Sequence, residues 1–210
     1  MIQHELFPSA PDDAFARGFA YEPEFLSQAE EEALVGEIER LPLAQAEYKE
    51  FLANRRIVSY GGRYDFSAQR LQPGPPIAPF LWPLRARAAA WTGRPADDFA
   101  HALIAQYPAG SQLGWHRDVP DFELVVGISL AGPCRMRFRR YPPGVRAKSI
   151  ALEIEPRSIY RLQDEARWDW QHGVSPVPSV RYSITFRTLV APAPAVRSRP
   201  VSAGALARSL

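Results

Sequence analysis

His116, Arg117 and Asp118 stand in a row, a distant His172 follows, and Arg181-Tyr-Ser-Ile-Thr-Phe-Arg187 comes shortly after it. On a strand, residues i and i+2 project from one face, so His116 and Asp118 can reach the same ion. Two imidazoles and a carboxylate on one side of an octahedral metal leave three positions open. That set suits Fe(II) when a co-substrate and dioxygen must both bind. The triplet alone says little: with 23 acids among 210 residues and 4 histidines, a His-x-acid match arises easily by chance. His4 and His101 have no acid two positions on and read as surface or satisfied core histidines.

The arginine segment adds the second half of the chemistry. As a strand it puts Arg181, Ser183, Thr185 and Arg187 on one face and Tyr182, Ile184 and Phe186 on the other. A half-exposed strand alternates in the same way. Beside a metal set, however, the polar face acquires a use. A dicarboxylic co-substrate chelating the metal at one end needs a fixed cation at the other, and a guanidinium pairs with carboxylate in two-pronged fashion. Arg181 and Arg187 are separated by about 20 Å along a strand at roughly 3.3 Å per residue. They cannot grip one carboxylate, so their roles must differ.

These residues need a scaffold. At 210 residues the chain can bury one real core, and its 46% apolar content is that of an ordinary globular protein. A net charge of +2 does not by itself announce a nucleic-acid binder. The single cysteine, Cys134, excludes an internal disulfide framework and fits a reducing, cytoplasmic compartment. Neither a secretory signal in Met1–Asp13 nor an apolar run long enough for a membrane helix is visible.

Ser27 and Glu30 form a capping box ahead of an apolar stripe through Leu34, Ile38 and Leu41, predicting a helix over 27–41. A second is expected over 79–91, with Pro83 in its first turn and Gly93 to close it. After Gly93 the pattern turns to short strands at 101–107, 112–118, 123–130, 134–140, 149–155, 157–162, 167–173 and 180–190. Two helices before about eight strands predict a mainly β, α+β fold: a double-stranded β-helix (jelly roll) buttressed by N-terminal helices. The expected layout is an extension over 1–20, one domain over 21–190 with its jelly-roll core at 101–190, and a disordered tail over 191–210.

Four strings give this chain a family likeness: Gln106-Tyr-Pro-Ala-Gly110, His116-Arg-Asp118, Trp170-Gln-His-Gly173 and Arg181-Tyr-Ser-Ile-Thr-Phe-Arg187. Together they resemble the AlkB-type Fe(II)/2-oxoglutarate dioxygenases, and Arg55-Arg-Ile-Val-Ser-Tyr-Gly-Gly-Arg-Tyr64 is similar to the nucleotide-lid region of that family. The resemblance implies that His116, Asp118 and His172 ligate Fe(II), with no catalytic side chain beyond the metal centre. It implies that Arg181 pairs with the distal carboxylate of 2-oxoglutarate and that Tyr107 donates to it. Arg187 would lie by Asp118 or the inner carboxylate. Ser183 and Ala105 stand where the family commonly has asparagine, and Pro120 replaces an acid that helps prototype members recognise the alkylated base. Alkylated DNA or RNA is the implied partner and oxidative demethylation the implied reaction, on a monomer without a membrane attachment. An oxygenase of proteins or small molecules, and a non-catalytic nucleic-acid-binding relative, are the alternatives.

For the substrate, two basic-aromatic stretches stand out. Arg55, Arg56, Arg63 and Arg70 interleave with Tyr60, Tyr64 and Phe66, a composition suited to stacking on a flipped base or simply to strand core. Arg135, Arg137, Arg139, Arg140, Arg146 and Lys148 lie with Phe138 and Tyr141, as a phosphate-tracking stripe or a solvated face compensated by acids. Trp168 and Trp170 share a face with His172 by strand alternation, where Trp170 can wall the site.

Overall fold

The computed structural model describes residues 16–48, 51–65, 68–144 and 148–191. His4, Phe66, Arg146, most of the expected N-terminal extension and the expected tail after Ala191 lie outside the described residues. The elements run β1 (Phe19–Glu22), α1 (Gln28–Glu39), β2 (Ala44–Tyr48), β3 (Phe51–Tyr60), β4 (Arg63–Asp65) and β5 (Arg70–Gln72). A 3-10 turn leads into α2 (Trp82–Thr92), and strands then dominate: β6 (His101–Tyr107), β7 (Leu113–His116), β8 (Phe122–Leu130), β9 (Cys134–Arg140) and β10 (Ile150–Ile154). The chain continues through β11 (Ile159–Leu162), α3 (Asp164–Trp168), β12 (Trp170–Val174) and β13 (Arg181–Leu189).

A seven-stranded sheet, ordered β1-β11-β8-β13-β6-β3-β2, and a four-stranded sheet, β10-β9-β12-β7, make the two walls of the expected jelly roll. One apolar cluster lies between the walls, joining Tyr107 and Tyr160 of the large sheet to Met136, Phe138 and Trp170 of the small one. A second coats the outside of the large sheet, where Ile38 of α1 and Leu84 and Ala88 of α2 join Ile104, Ile128 and Phe186. The helices therefore stiffen the large sheet from behind. Local chemistry sets the start of α1 and the end of α2. Ser27 Oγ accepts from the Glu30 N–H while the Glu30 carboxylate accepts from the Ser27 N–H at 2.8 Å. Gly93, at φ +69°, ends α2 in the left-handed conformation that a side chain would resist.

The structure departs from the sequence expectation in three places. Among the described residues five strands precede residue 80, and β3 joins β6 in the large sheet; the half-buried β1, β4 and β5 are too short to show a period-2 pattern. The strand expected over 112–118 stops at His116, so Asp118 stands on the loop beyond it. The strand expected over 167–173 begins as α3, because Arg167 turns inward to donate to the carbonyls of Val119 and Phe122 at 2.7 Å each. Trp168 then falls on that helix rather than on the face of His172.

Candidate metal centre

His116 and His172 are directly opposed partners across β7 and β12. Their rings meet with centroids 4.2 Å apart at 58°. Asp118 closes the triangle from the loop, its Oδ2 3.6 Å from His172 Nε2. One potential ligand atom from each of the three lies within 4.8 Å of the others. Loop placement does not weaken Asp118, because the carboxylate is held from the large sheet: Arg187 Nε donates to Oδ1 at 2.9 Å. That leaves Oδ2 free. His116 is oriented likewise, its Nδ1 lying 3.0 Å from the Gly114 carbonyl, which can only accept a proton. Its Nε2 is then the ring atom with a lone pair to give.

Electrostatics prepares the same groups. Burial, then the neighbouring His116, lowers His172 to about 3. Burial also lowers His116. Asp118 is held well below the usual carboxylate range: burial opposes its ionisation, but the Arg187 guanidinium and the surrounding positive groups outweigh it. At neutral pH the trio is two neutral imidazoles and one carboxylate, the protonation states a divalent ion requires.

Arg181 occupies a different part of the same cavity. Its side chain is 2% exposed, its Nε donates to Ser129 Oγ at 2.9 Å, and its guanidinium lies 5.1 Å from the centre of the Tyr107 ring. Among the described residues no carboxylate pairs with it. A buried cation without an anion costs several kcal/mol, on the order of the penalty for an unpaired internal charge. Ser183 and Ala105 sit side by side across β13 and β6 and both line the cavity. The residues present fit Fe(II) at one end and a dicarboxylate reaching a guanidinium at the other.

The sequence did not single out several supports. His101 is the satisfied core histidine expected, yet its buried ring lies 3.4 Å from Arg187 Nη1 and against Phe122. Ser129 orients Arg181, and Arg167 braces the loop that carries Asp118. Tyr160 lies so close to Gly127 that a Cβ there would fall 2.2 Å from the ring. A glycine inside a strand is the one signal that pointed to this approach.

The substrate candidates divide. Arg55 lines the cavity. Arg56 does not: it alternates to the other face of β3 and donates to the Leu43 carbonyl at 2.8 Å. Tyr60 packs with the helices in the outer cluster. Tyr64 is on the β4–β5 hairpin, and Trp170 is buried between the sheets beneath Arg140; neither lines the cavity. On the outer face of the small sheet, Arg137 and Arg139 stack on Trp115 at 4.9 and 4.5 Å, and Arg117 covers Tyr141 at 4.0 Å. Arg135 and Arg140 are instead paired with Glu153 and Glu165.

A jelly roll whose two walls converge on two histidines, an aspartate and an opposed buried arginine defines a metal-dependent oxygenase scaffold. The sequence profile of the 2OG-Fe(II) oxygenase superfamily matches residues 18–187, and the chain belongs to that superfamily. Its cofactors are Fe(II), 2-oxoglutarate and dioxygen. Within it the likeness is to AlkB-type members. An Arabidopsis thaliana alkylated DNA repair protein ALKBH8 homolog is 28% identical over 173 residues, covering 71% of this chain and 48% of that protein. Uncharacterized protein L905 of Acanthamoeba polyphaga mimivirus is 33% identical over 101 residues, 42% of this chain and 47% of its own. The chain thus spans about half the length of the curated relatives it matches. Among solved structures, OsALKBH1 superposes with a TM-score of 0.64 at 15% identity, over 83% of this chain and 99% of that one. A Pseudomonas putida prolyl-4-hydroxylase superposes with 0.59 at 15% identity, over 82% and 93%. These two likenesses speak for the fold alone. No helix among the described residues is long and apolar enough to cross a membrane.

Proposed function

We propose that this chain is an oxidative demethylase of N-alkylated nucleic-acid bases, acting in repair or editing as a monomeric cytoplasmic enzyme. His116, Asp118 and His172 hold Fe(II) in this reading, Arg187 positions Asp118, and Arg181 with Tyr107 receives the distal carboxylate of 2-oxoglutarate. When bound, Fe(II) with 2-oxoglutarate and dioxygen supplies an oxidant for C–H bonds, one oxygen atom entering the substrate and the other succinate as carbon dioxide leaves. An N-methyl group so hydroxylated loses formaldehyde and leaves its nitrogen with the proton. The chain's own work is positioning and exclusion: apolar Leu113, Met136 and Val174 line the cavity around the metal trio and keep water from the reacting carbon.

The observation that carries the nucleic-acid assignment is the arginine–aromatic outer face of the small sheet, where Trp115 of β7 meets Arg137 and Arg139 of β9. Among the described residues, Arg117, Arg137 and Arg139 have aromatic partners but no acidic ones, so their charge remains available to phosphate. The similarity to a protein named for alkylated-DNA repair supports the same reading. Incubation with methylated single-stranded DNA, methylated RNA and methylated peptides, following succinate and formaldehyde together, is the test. Stoichiometric formaldehyde from an oligonucleotide is expected. Turnover that responds to peptide alone would reject the proposal.

A further inference from the structure

One charged residue of α1 stands where its neighbours on the same face are apolar. Glu31 shares that face with Leu34, Val35 and Ile38, all of which pack into the outer cluster. The Glu31 side chain is only 12% exposed. Both of its oxygens are engaged. Oε1 accepts from the Ala131 N–H at 2.8 Å, and Oε2 accepts from Arg157 Nη1 at 3.3 Å. The two partners have left-handed backbones, φ +67° at Ala131 and +63° at Arg157, a conformation that a side chain resists. Glu31 thus ties down two turns that glycine would make unaided.

Those turns flank Ser129. The Ser129 carbonyl accepts from the Arg157 N–H at 2.7 Å, and the Ser129 N–H donates to the Ser158 carbonyl at 3.0 Å. Two residues against one make a β-bulge, its first residue left-handed. On the other side the turn through Ala131 closes as the Gly132 N–H donates to the Leu130 carbonyl at 3.0 Å. It passes so close to Val180, the residue before Arg181, that a Cβ on Gly132 would fall 2.6 Å from the Val180 carbonyl oxygen. Ser129 itself is fully buried, and its Oγ accepts from Arg181 Nε at 2.9 Å. A guanidinium is planar and rigid, so a hydroxyl bonded to Nε fixes the direction in which its fork opens.

We propose that Glu31 is a positioning residue for the co-substrate, an inference that rests on the assignment of Arg181 to the distal carboxylate of 2-oxoglutarate. By holding both turns, the carboxylate sets the place of Ser129, and Ser129 sets the Arg181 fork. Glu31 is absent from the cavity wall, so it acts through the turns and touches neither metal nor co-substrate. The first turn of α1 is thereby coupled to the co-substrate end of the site, from the far side of the large sheet.

The test uses the full chain loaded with Fe(II), anaerobically for calorimetric titration of 2-oxoglutarate and in air for uncoupled succinate formation. Glu31→Ala should weaken 2-oxoglutarate binding on the order of tenfold, the worth of one hydrogen bond to a charged group. KM for 2-oxoglutarate should rise by the same factor, with kcat and Fe(II) affinity kept. Adding Ala131→Gly and Arg157→Gly to Glu31→Ala should recover most of that loss, because glycine adopts the left-handed conformation without help. Glu31→Gln keeps an acceptor for the Ala131 N–H without the ion pair. Its loss should be smaller than that of Glu31→Ala, and it serves in its place if Glu31→Ala does not fold. A lower thermal midpoint with unchanged 2-oxoglutarate affinity, in either variant, overturns the inference and makes Glu31 a clamp of the fold alone. So does a loss that the glycines fail to recover, which would be an effect of the charge rather than of the turns. Arg181→Gln separates the two readings. If it weakens 2-oxoglutarate while Glu31→Ala does not, only the role of Glu31 falls; if it leaves 2-oxoglutarate affinity unchanged, the assignment of Arg181 falls and takes this inference with it.

Discussion

Two sets of arginines alternate along strands of this molecule, and they look alike until one asks what lies above them. On β13, Arg181 and Arg187 are 2% and 9% exposed and each has a specific polar partner. On β9, Arg137 and Arg139 are half-buried against the Trp115 ring, and Arg135 is exposed beside an equally exposed Glu153. The first set faces the other sheet of the jelly roll, the second faces solvent. Burial is what turns an alternating pattern into a site. A charge in the interior must have one partner in one geometry, whereas a charge on the outer face contributes to a field in which its neighbours can substitute for it.

The inner set is where substitutions should hurt most. His116→Ala removes one of the candidate ligands and should eliminate Fe(II)-dependent succinate formation, beyond the roughly 10–100-fold that supporting residues around a metal command. In the proposed reading oligonucleotide affinity is carried by the outer face, and it should survive the change. Persistent succinate production would put the metal elsewhere and dissolve the contrast between the faces. Arg181→Gln comes next. Loss of one partner from a buried charge pair costs about 3 kcal/mol or more, so 2-oxoglutarate affinity should fall on the order of 100-fold by calorimetric titration. The same change should not lower the thermal midpoint of the metal-free protein, since it also removes an uncompensated internal cation. A large drop in that midpoint with unchanged co-substrate affinity would make Arg181 a structural residue.

Much of this inner region was legible in the sequence. The polar face of Arg181-Tyr-Ser-Ile-Thr-Phe-Arg187 and the different tasks of its two arginines follow from strand period and reach, and the structure puts Arg187 on Asp118. The capping box and Gly93 marked the helices. Other features depend on strand neighbours that no local pattern reveals. Ser129 matters because β8 lies next to β13, and Arg167 because α3 folds back onto the loop of Asp118. The lid reading joined Arg55, Arg56 and Tyr60 by composition, although strand alternation separates Arg55 from the other two. Composition groups residues that geometry parts.

A subtler contrast is response to acid. Burial and the adjacent Arg187 lower His101 to about 3, while an unfolded chain leaves it near the ordinary value of about 6.5. Between those values the unfolded state binds more protons, so stability should decline as pH falls from about 6.5 towards 3. His172 shifts in the same direction and adds to the slope. Urea denaturation of the metal-free protein at a series of pH values should show this slope, and His101→Gln should flatten part of it. Equal slopes in the two proteins would mean that His101 is solvated in a way its contacts with Arg187 and Phe122 do not permit.

The smallest effects belong to the outer face, and their character matters more than their size. Replacing Arg137 and Arg139 together by alanine removes two cations and uncovers Trp115, so oligonucleotide affinity should fall several-fold. Each phosphate contact on a single strand contributes about 0.7 to the logarithmic salt slope, so a loss of two contacts should reduce that slope by about 1.4. Sequence and lesion preference should not move, because in the proposed reading these residues would meet backbone and stacking surface rather than base edges. Arg135→Ala is the internal control. Its 3.6 Å pairing with Glu153 is exposed on both sides, and such pairs are worth roughly 0–1 kcal/mol, so stability should change by no more than about 1 kcal/mol and binding should fall less than in the double replacement. Should Arg135→Ala match the double replacement, the outer face would act through bulk charge alone, and the stacking on Trp115 would be packing without a part in recognition.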